Sequence, residues 1–143
     1  MILNTIGFSE KSAEEFFTIL VKNNVRSLID IRLNNKSQLA GFTNIKHLPY
    51  LLKLHNITYY YNPEYAPTKE LLNRYKNKSI SWEEYERLYI DIIKARNIIK
   101  NIDWHFFDNA VLLCSESAAE KCHRRILAEI LAKENGSIEV RHL

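Results

Sequence analysis

The chain has 143 residues, 46% of them apolar and 26% charged, enough for one domain with a substantial core. Glycine and proline number only 3 each, which excludes a collagenous or low-complexity chain. Gly7, Gly41 and Gly136 stand too far apart for a dinucleotide- or phosphate-binding glycine loop, and a net charge of +3 permits a nucleic-acid partner without arguing for one.

No apolar run is long enough to span a membrane. The start, MILNTIGF, lacks a basic region and meets Glu10 and Lys11 too early for a signal peptide. Two cysteines without a leader predict a reducing compartment, and so a cytoplasmic protein. Asn, Ile and Lys are plentiful, which genome composition would explain.

Residues 2–8 suit a short buried strand ending at Gly7. Ser12 and Glu15 form a capping box, and Ala13, Phe16, Phe17 and Leu20 follow at helical spacing. Residues 27–32 read as a second strand, then residues 33–44 as a polar loop. A helix is predicted over 45–55 with Pro49 in its first turn, and a strand over 57–61. Thr68 caps a short helix to Lys76. Ser81 and Glu84 open a long helix to about Ile102, with Tyr85, Tyr89, Ile92, Ile93 and Ile99 along one side. Residues 110–114 form the near-continuous apolar run of a central parallel strand. Ser117 and Glu120 predict a helix from there to about Asn135, with Gly136 as its left-handed terminator, then a last strand within 137–142. The order βαβαβααβαβ is that of an α/β three-layer α/β/α sandwich with a mostly parallel sheet.

Ligands of such sheets bind outside the carboxyl ends of the strands. That edge collects Thr5, Gly7, Phe8 and Ser9, then Asp30 and Arg32, then Asn62 and Tyr65, then Cys114, Ser115 and Glu116. Asp30 and Arg32 share a face, as an oriented anion-binding arginine or as an ion pair ending a buried strand. On a helical wheel His123 sits mid-way on the apolar face in the second turn, directed at the end of the Cys114 strand. Cys122 and Arg124 flank it, and Arg125 and Glu129 turn to solvent. His123 reads equally as a core histidine bonded to a carbonyl.

Cys114, Glu116, Cys122 and His123 offer metal-ligand chemistry, but the spacing lacks a CxxC pair and adjacent helical residues diverge by about 100°, so no metal or other cofactor is predicted. A Cys114–Cys122 disulfide is geometrically conceivable, and a reducing compartment argues against it. Cys114 stands where cysteine phosphatases and sulfurtransferases carry their nucleophile. Their loop requires an arginine six residues on, where this chain has Glu120, and it lacks glycine here. Glu116 is therefore the preferred acid–base residue, near a helix start and Arg124. The candidate catalytic set is Glu116, His123 and Cys114. The candidate ligand-binding set is Thr5, Gly7, Ser9, Asp30, Arg32, Ser115, Cys122 and Arg124.

Leu113-Cys114-Ser115-Glu116 followed by Cys122-His123-Arg124-Arg125 resembles the C-x-E…C-H-R signature of the domain-of-unknown-function 488 family. The resemblance extends to Thr5-Ile6-Gly7-Phe8-Ser9, to Asp30-Ile31-Arg32 and to Tyr59. Residues 33–42 (LNNKSQLAGF), 66–72 (APTKELL) and 81–85 (SWEEY) are similar to stretches of one subgroup. Much of the broader family has His where this chain has Phe8, and the subgroup has Leu at Tyr65. The resemblance implies a compact bacterial or archaeal cytosolic α/β domain and supplies no reaction.

The reading that follows is an enzyme acting on a small anionic substrate, phosphate- or carboxylate-bearing, with a nucleotide among the candidates. Arg32 and Arg124 would hold the anion, helped by Ser9 and helix-start amides. A nucleic-acid or nucleotide-signal binding module without turnover is the alternative, with Tyr59, Tyr60, Tyr61 and Tyr65 near Lys36, Lys69 and Arg74. An adaptor or structural protein is the third. The sequence does not specify an oligomeric state.

Overall fold

The computed structural model describes residues 1–36, 40–116 and 118–143. The elements run β1 (Ile2–Gly7), α1 (Ala13–Lys22), β2 (Ser27–Asp30), α2 (Leu48–Leu54), β3 (Thr58–Tyr61), α3 (Lys69–Lys76), α4 (Trp82–Ala95), β4 (Ala110–Cys114), α5 (His123–Glu134) and β5 (Glu139–His142). This is the predicted alternation. All the strands are parallel, in the order β3-β2-β4-β1-β5. The three interior strands are covered on both faces, and the apolar runs of the sequence reflect that burial.

Side chains alternate across each strand and so feed two cores. Leu3, Ile29, Ala110 and Leu112 pack with Leu71 of α3, Tyr85, Tyr89 and Ile93 of α4, and Ile126, Leu127 and Leu131 of α5. Ile6, Leu28, Val111 and Leu113 pack with Phe16, Phe17 and Leu20 of α1 and Leu48 and Leu52 of α2. The result is a three-layer sandwich, with α1 and α2 on one face and α3, α4 and α5 on the other.

This arrangement creates a switch point. β1 and β4 are neighbours, yet the chain leaves β1 for α1 on one face and leaves β4 for α5 on the other. Their outgoing loops part and leave a crevice at the carboxyl ends, the usual place for a ligand in an open parallel sheet.

The caps hold as read for α1, where Ser12 and Glu15 bond reciprocally, and Thr68 caps α3 through the amide of Leu71. Ser81 accepts from the Glu84 amide at the start of α4. Several boundaries differ: β2 ends at Asp30 instead of residue 32, and α2 spans Leu48–Leu54 instead of residues 45–55. α4 ends at Ala95 instead of Ile102, because Asn97 turns left-handed just beyond the Arg96 cap. α5 begins at His123 with Cys122 as its extended cap, and Ser117 of the expected capping box lies outside the described residues. Gly136 does not terminate α5 in a left-handed conformation: no described glycine has positive φ.

Asparagine does that work instead. Asn24, Asn56, Asn97, Asn101 and Asn109 all have φ near +55 to +60°. A short polar side chain tolerates the left-handed region better than other non-glycine residues do. The asparagine-rich, glycine-poor composition is therefore tied to the turns of this fold.

Candidate functional site at the β1–β4 switch point

A cavity of about 740 Å³ opens at the carboxyl edge. The loop after β1 lines it with Phe8, Ser9, Glu10 and Lys11. The end of β4 contributes Cys114, Ser115 and Glu116, and the approach to α5 contributes Lys121, Cys122 and His123. Arg32 and Leu33 come from the loop after β2, and Leu72, Tyr75, Trp82 and Tyr85 from α3 and α4. Glu10 has φ 63°, a conformation unusual for a non-glycine residue, in the turn that begins this wall.

Cys114 is the most elaborated group. Its side chain follows Ala110 and Leu112 in alternation and so faces α5. The Cys122 thiol donates to its sulfur at 2.7 Å, and the backbone amides of Ser115 and Glu116 also donate to it. Its thiol is held below the ordinary thiol range, chiefly by the Cys122 hydrogen bond. Burial opposes that shift, while the Arg124 charge and the two amides support it. Cys122 moves the other way, raised by burial and by its own donated hydrogen bond. Of the two sulfurs, Cys114 is thus the easier to ionise and Cys122 holds its proton more firmly.

His123 orients this pair. Its Nε2 lies 2.9 Å from the Ile31 carbonyl, which can only accept, so Nε2 carries a proton. Nδ1 is then the atom free to exchange a proton, and it lies 3.5 Å from Cys114 Sγ. The carbonyl bond that the sequence reading set against a functional role is present, and it fixes the tautomer that turns Nδ1 toward the sulfur.

Arg124 lies behind the site instead of lining it. It is fully buried, with Nε donating to Thr5 Oγ1 at 3.2 Å and Nη1 donating to the Glu116 carbonyl. The Thr5 hydroxyl in turn meets His142 Nδ1 at 2.6 Å. A polar chain therefore runs from the exposed His142 of β5 through the buried Thr5 and Arg124 to the loop after Cys114. Gly7 makes room for it: a Cβ there would stand 1.5 Å from the Glu116 carbonyl oxygen and 2.9 Å from Arg124 Nη1. Thr5, Gly7 and Arg124 thus sit together, as support for the loop after β4.

On the other face, Asp30 and Arg32 form a bidentate pair. Arg32 Nε reaches Asp30 Oδ1 and Nη2 reaches Oδ2, both at 2.8 Å, and Tyr59 donates to Oδ2 at 2.7 Å. Nη2 also donates to the Thr43 carbonyl. Nη1 is buried and has no hydrogen-bond partner among the described residues. The Arg32 guanidinium also lies over the Phe8 ring, 5.4 Å from its centroid, at the position where the broader family carries His. The pair ends a buried strand and leaves one Arg32 N–H group without a hydrogen-bond partner among the described residues.

Ser9, Ser115 and Glu116 line the cavity, and the Ser9 amide donates to the Ser115 carbonyl, carrying β1–β4 pairing into the loops. Lys11 was missed. Its Nζ donates to the Gly7 carbonyl at 2.9 Å, and burial first, then Arg124, lowers its pKa. Its position four residues beyond Gly7 was the available signal. The aromatic wall of Tyr75, Trp82 and Tyr85 was also missed as a site feature, because its spacing reads as ordinary helix packing. Arg125, placed toward solvent by the wheel, ties α5 to α4 through Glu86 at 3.1 Å and also meets Glu129 at 2.8 Å.

The tyrosines of β3 and of the turn after it do not form one platform. Tyr59 is tied to Asp30, Tyr65 is buried, Tyr60 packs edge-on to Phe106, and Tyr61 donates to the Leu33 carbonyl.

Cys114, Cys122 and His123 bring three ligand-type atoms within 4.8 Å of one another. The divergence expected of neighbours in a helix does not apply, because Cys122 is extended and only His123 is helical. The sulfur separation fits a metal poorly. Two sulfurs at about 2.3 Å from a tetrahedral metal lie about 3.8 Å apart, against 2.7 Å here, and the nearby Arg124 charge favours a thiolate over an added cation.

The family model for "Domain of unknown function DUF488" matches residues 12–131. The chain belongs to the DUF488 family. The match spans α1 through most of α5 and includes both cysteines, His123 and both buried arginines. No curated protein and no solved structure matches the chain. No helix among the described residues of this DUF488 chain is long and apolar enough to cross a membrane.

Proposed function

We propose that this DUF488 protein is an enzyme acting on a small anionic substrate at the carboxyl edge of the sheet, with Cys114 as nucleophile and His123 as its base. One observation carries the reading: at the cavity wall, Cys114 Sγ faces a histidine nitrogen whose tautomer the Ile31 carbonyl fixes. Nucleophile, base and orienting group in hydrogen-bonding sequence are the arrangement that covalent catalysis needs. His123 Nδ1 takes the thiol proton, and the sulfur attacks an electrophilic phosphoryl or acyl centre.

The anion preference rests on the surroundings. Lys11, Arg32, Lys76 and Lys121 line the cavity against Glu10 and Glu116. Of these, Arg32 holds a buried Nη1 with no hydrogen-bond partner among the described residues. The wall of Tyr75, Trp82 and Tyr85 suits an apolar or planar body attached to the anion, as in a nucleotide. The leaving group departs with the proton that His123 Nδ1 took from the thiol, and Glu116, the acid–base candidate of the sequence, deprotonates at the rim the water that then frees the sulfur. The cytoplasm is the compartment we assign, since the mechanism needs a reduced thiol.

The test is thermal unfolding across nucleotides, sugar phosphates and carboxylates, followed by turnover assays on each ligand that binds. A ligand at about a hundred times its dissociation constant raises the midpoint by roughly 5–10 °C. Arg32→Lys keeps the charge beside Asp30 but loses the spare N–H, and should reduce that rise. Cys114→Ser should retain binding and lose turnover. A flat panel with folded protein, or turnover that survives Cys114→Ser, contradicts the proposal.

A further inference from the structure

The catalytic reading uses one of two touching thiols and gives no role to the second. Both sulfurs line the cavity, so a small oxidant can reach them, and they already lie 2.7 Å apart. They differ in surroundings: the Cys122 thiol and the Ser115 and Glu116 amides donate hydrogen bonds to Cys114, and Cys122 is the donor of the pair. The Cys122 side chain springs from extended backbone ahead of α5, so bond formation leaves the helix undisturbed.

We propose that Cys114 and Cys122 form a dithiol that a hydroperoxide oxidises to a disulfide, with Cys114 attacking and Cys122 resolving. Cys114 passes its proton to His123 Nδ1 and its sulfur attacks one peroxide oxygen. The O–O bond breaks, the distal oxygen leaves as alcohol or water with the proton from His123 Nδ1, and Cys114 becomes a sulfenic acid. Cys122 then passes its proton through His123 Nδ1 to the departing hydroxyl, its sulfur attacks Cys114, the S–O bond breaks and water leaves. Two thiols and one hydroperoxide give one disulfide, one alcohol or water, and one water. Cys114 supplies both electrons in the first step, and the Cys122 sulfur restores it to the disulfide level in the second.

The closed form blocks the nucleophile of the proposed reaction, so the inference shares Cys114 with that reading. It does not need the anionic substrate. Absence of any anionic ligand would sink the proposed function and leave this pair intact.

The experiment treats the reduced full chain with one equivalent of hydrogen peroxide and follows intact mass. The expected product is lighter by two hydrogens, yields a peptide linking Cys114 to Cys122, and returns to the starting mass with dithiothreitol. It should form roughly tenfold or more faster than free cysteine is oxidised. Cys122→Ser should stop at a sulfenic acid on Cys114 that dimedone traps, and Cys114→Ser should abolish the fast reaction. Oxidation no faster than that of free cysteine, or dimedone capture on Cys122 in place of Cys114, overturns the proposal. Stoichiometric zinc in the purified protein that must be removed before either thiol reacts also overturns it, and makes the same three residues a metal site.

Discussion

Arg32 and Arg124 are both buried at the carboxyl edge, on opposite faces of the sheet, and their charges have different reach. Arg32 is clamped to Asp30 through two 2.8 Å bonds, and where its field touches Tyr59 and Tyr61 the carboxylate opposes it. Arg124 reaches the Thr5 hydroxyl and the Glu116 carbonyl. Its field lowers the pKa of Cys114, of Lys11 and of His142. A guanidinium closed by a carboxylate builds structure and offers at most its spare N–H. Arg124, held by the Thr5 hydroxyl and the Glu116 carbonyl among its partners, acts at a distance on Cys114, Lys11 and His142. The reactive thiol lies on the Arg124 face.

Breaking the Arg32 side should cost most. Asp30→Ala strands a buried guanidinium and is expected to lower stability by about 3–5 kcal/mol in urea titration, as for other broken buried pairs. A loss below about 1 kcal/mol would mean that Arg32 is not committed to Asp30.

The Arg124 side is held by lighter bonds. Thr5→Val keeps the shape of the side chain and removes the hydroxyl between Arg124 and His142. It is expected to cost about 1–3 kcal/mol, the usual penalty for leaving a buried polar partner unmade. It should also slow alkylation of Cys114, which Asp30→Ala in its folded fraction should affect less.

The smallest effect is in pH. His142 is held below its ordinary value of 6.5 by burial first and by Arg124 second. The unfolded chain then binds that proton more readily than the folded one, so stability rises with pH. The contribution is fully present above about pH 6.5 and is lost as pH falls through the lower folded value. His142→Gln should flatten this part of the stability profile, measured by urea titration between pH 4.5 and 8 (a range of roughly two units either side of the histidine value).

Much of this architecture was legible before any coordinates. The alternation of apolar runs and caps gave every strand and helix in order, because interior strands such as β4 are apolar throughout and Ser12, Thr68 and Ser81 mark helix starts. The carboxyl-edge residues followed from that order. What resisted was orientation. A helical wheel begun at the wrong residue put His123 in a second turn and sent Cys122 and His123 apart, whereas the extended Cys122 lets the two converge. Arg124 read as a ligand arginine because the wheel cannot show Gly7 opening a path for the Glu116 carbonyl to meet it. Lys11 and the orphaned Nη1 of Arg32 depend on distances that spacing does not encode.

The central claim is that Cys114 is the nucleophilic thiol of an anion-favouring pocket, ionising more readily than Cys122. Alkylation of the reduced protein by iodoacetate and by iodoacetamide, with the modified cysteine mapped in each case, tests both parts at once. The account predicts modification at Cys114 ahead of Cys122, persisting below the ordinary thiol range. It also predicts an iodoacetate-to-iodoacetamide rate ratio above that of the urea-unfolded chain, falling toward it in Arg32→Lys. Modification at Cys122 first, or a rate ratio equal to that of the unfolded chain, would contradict it.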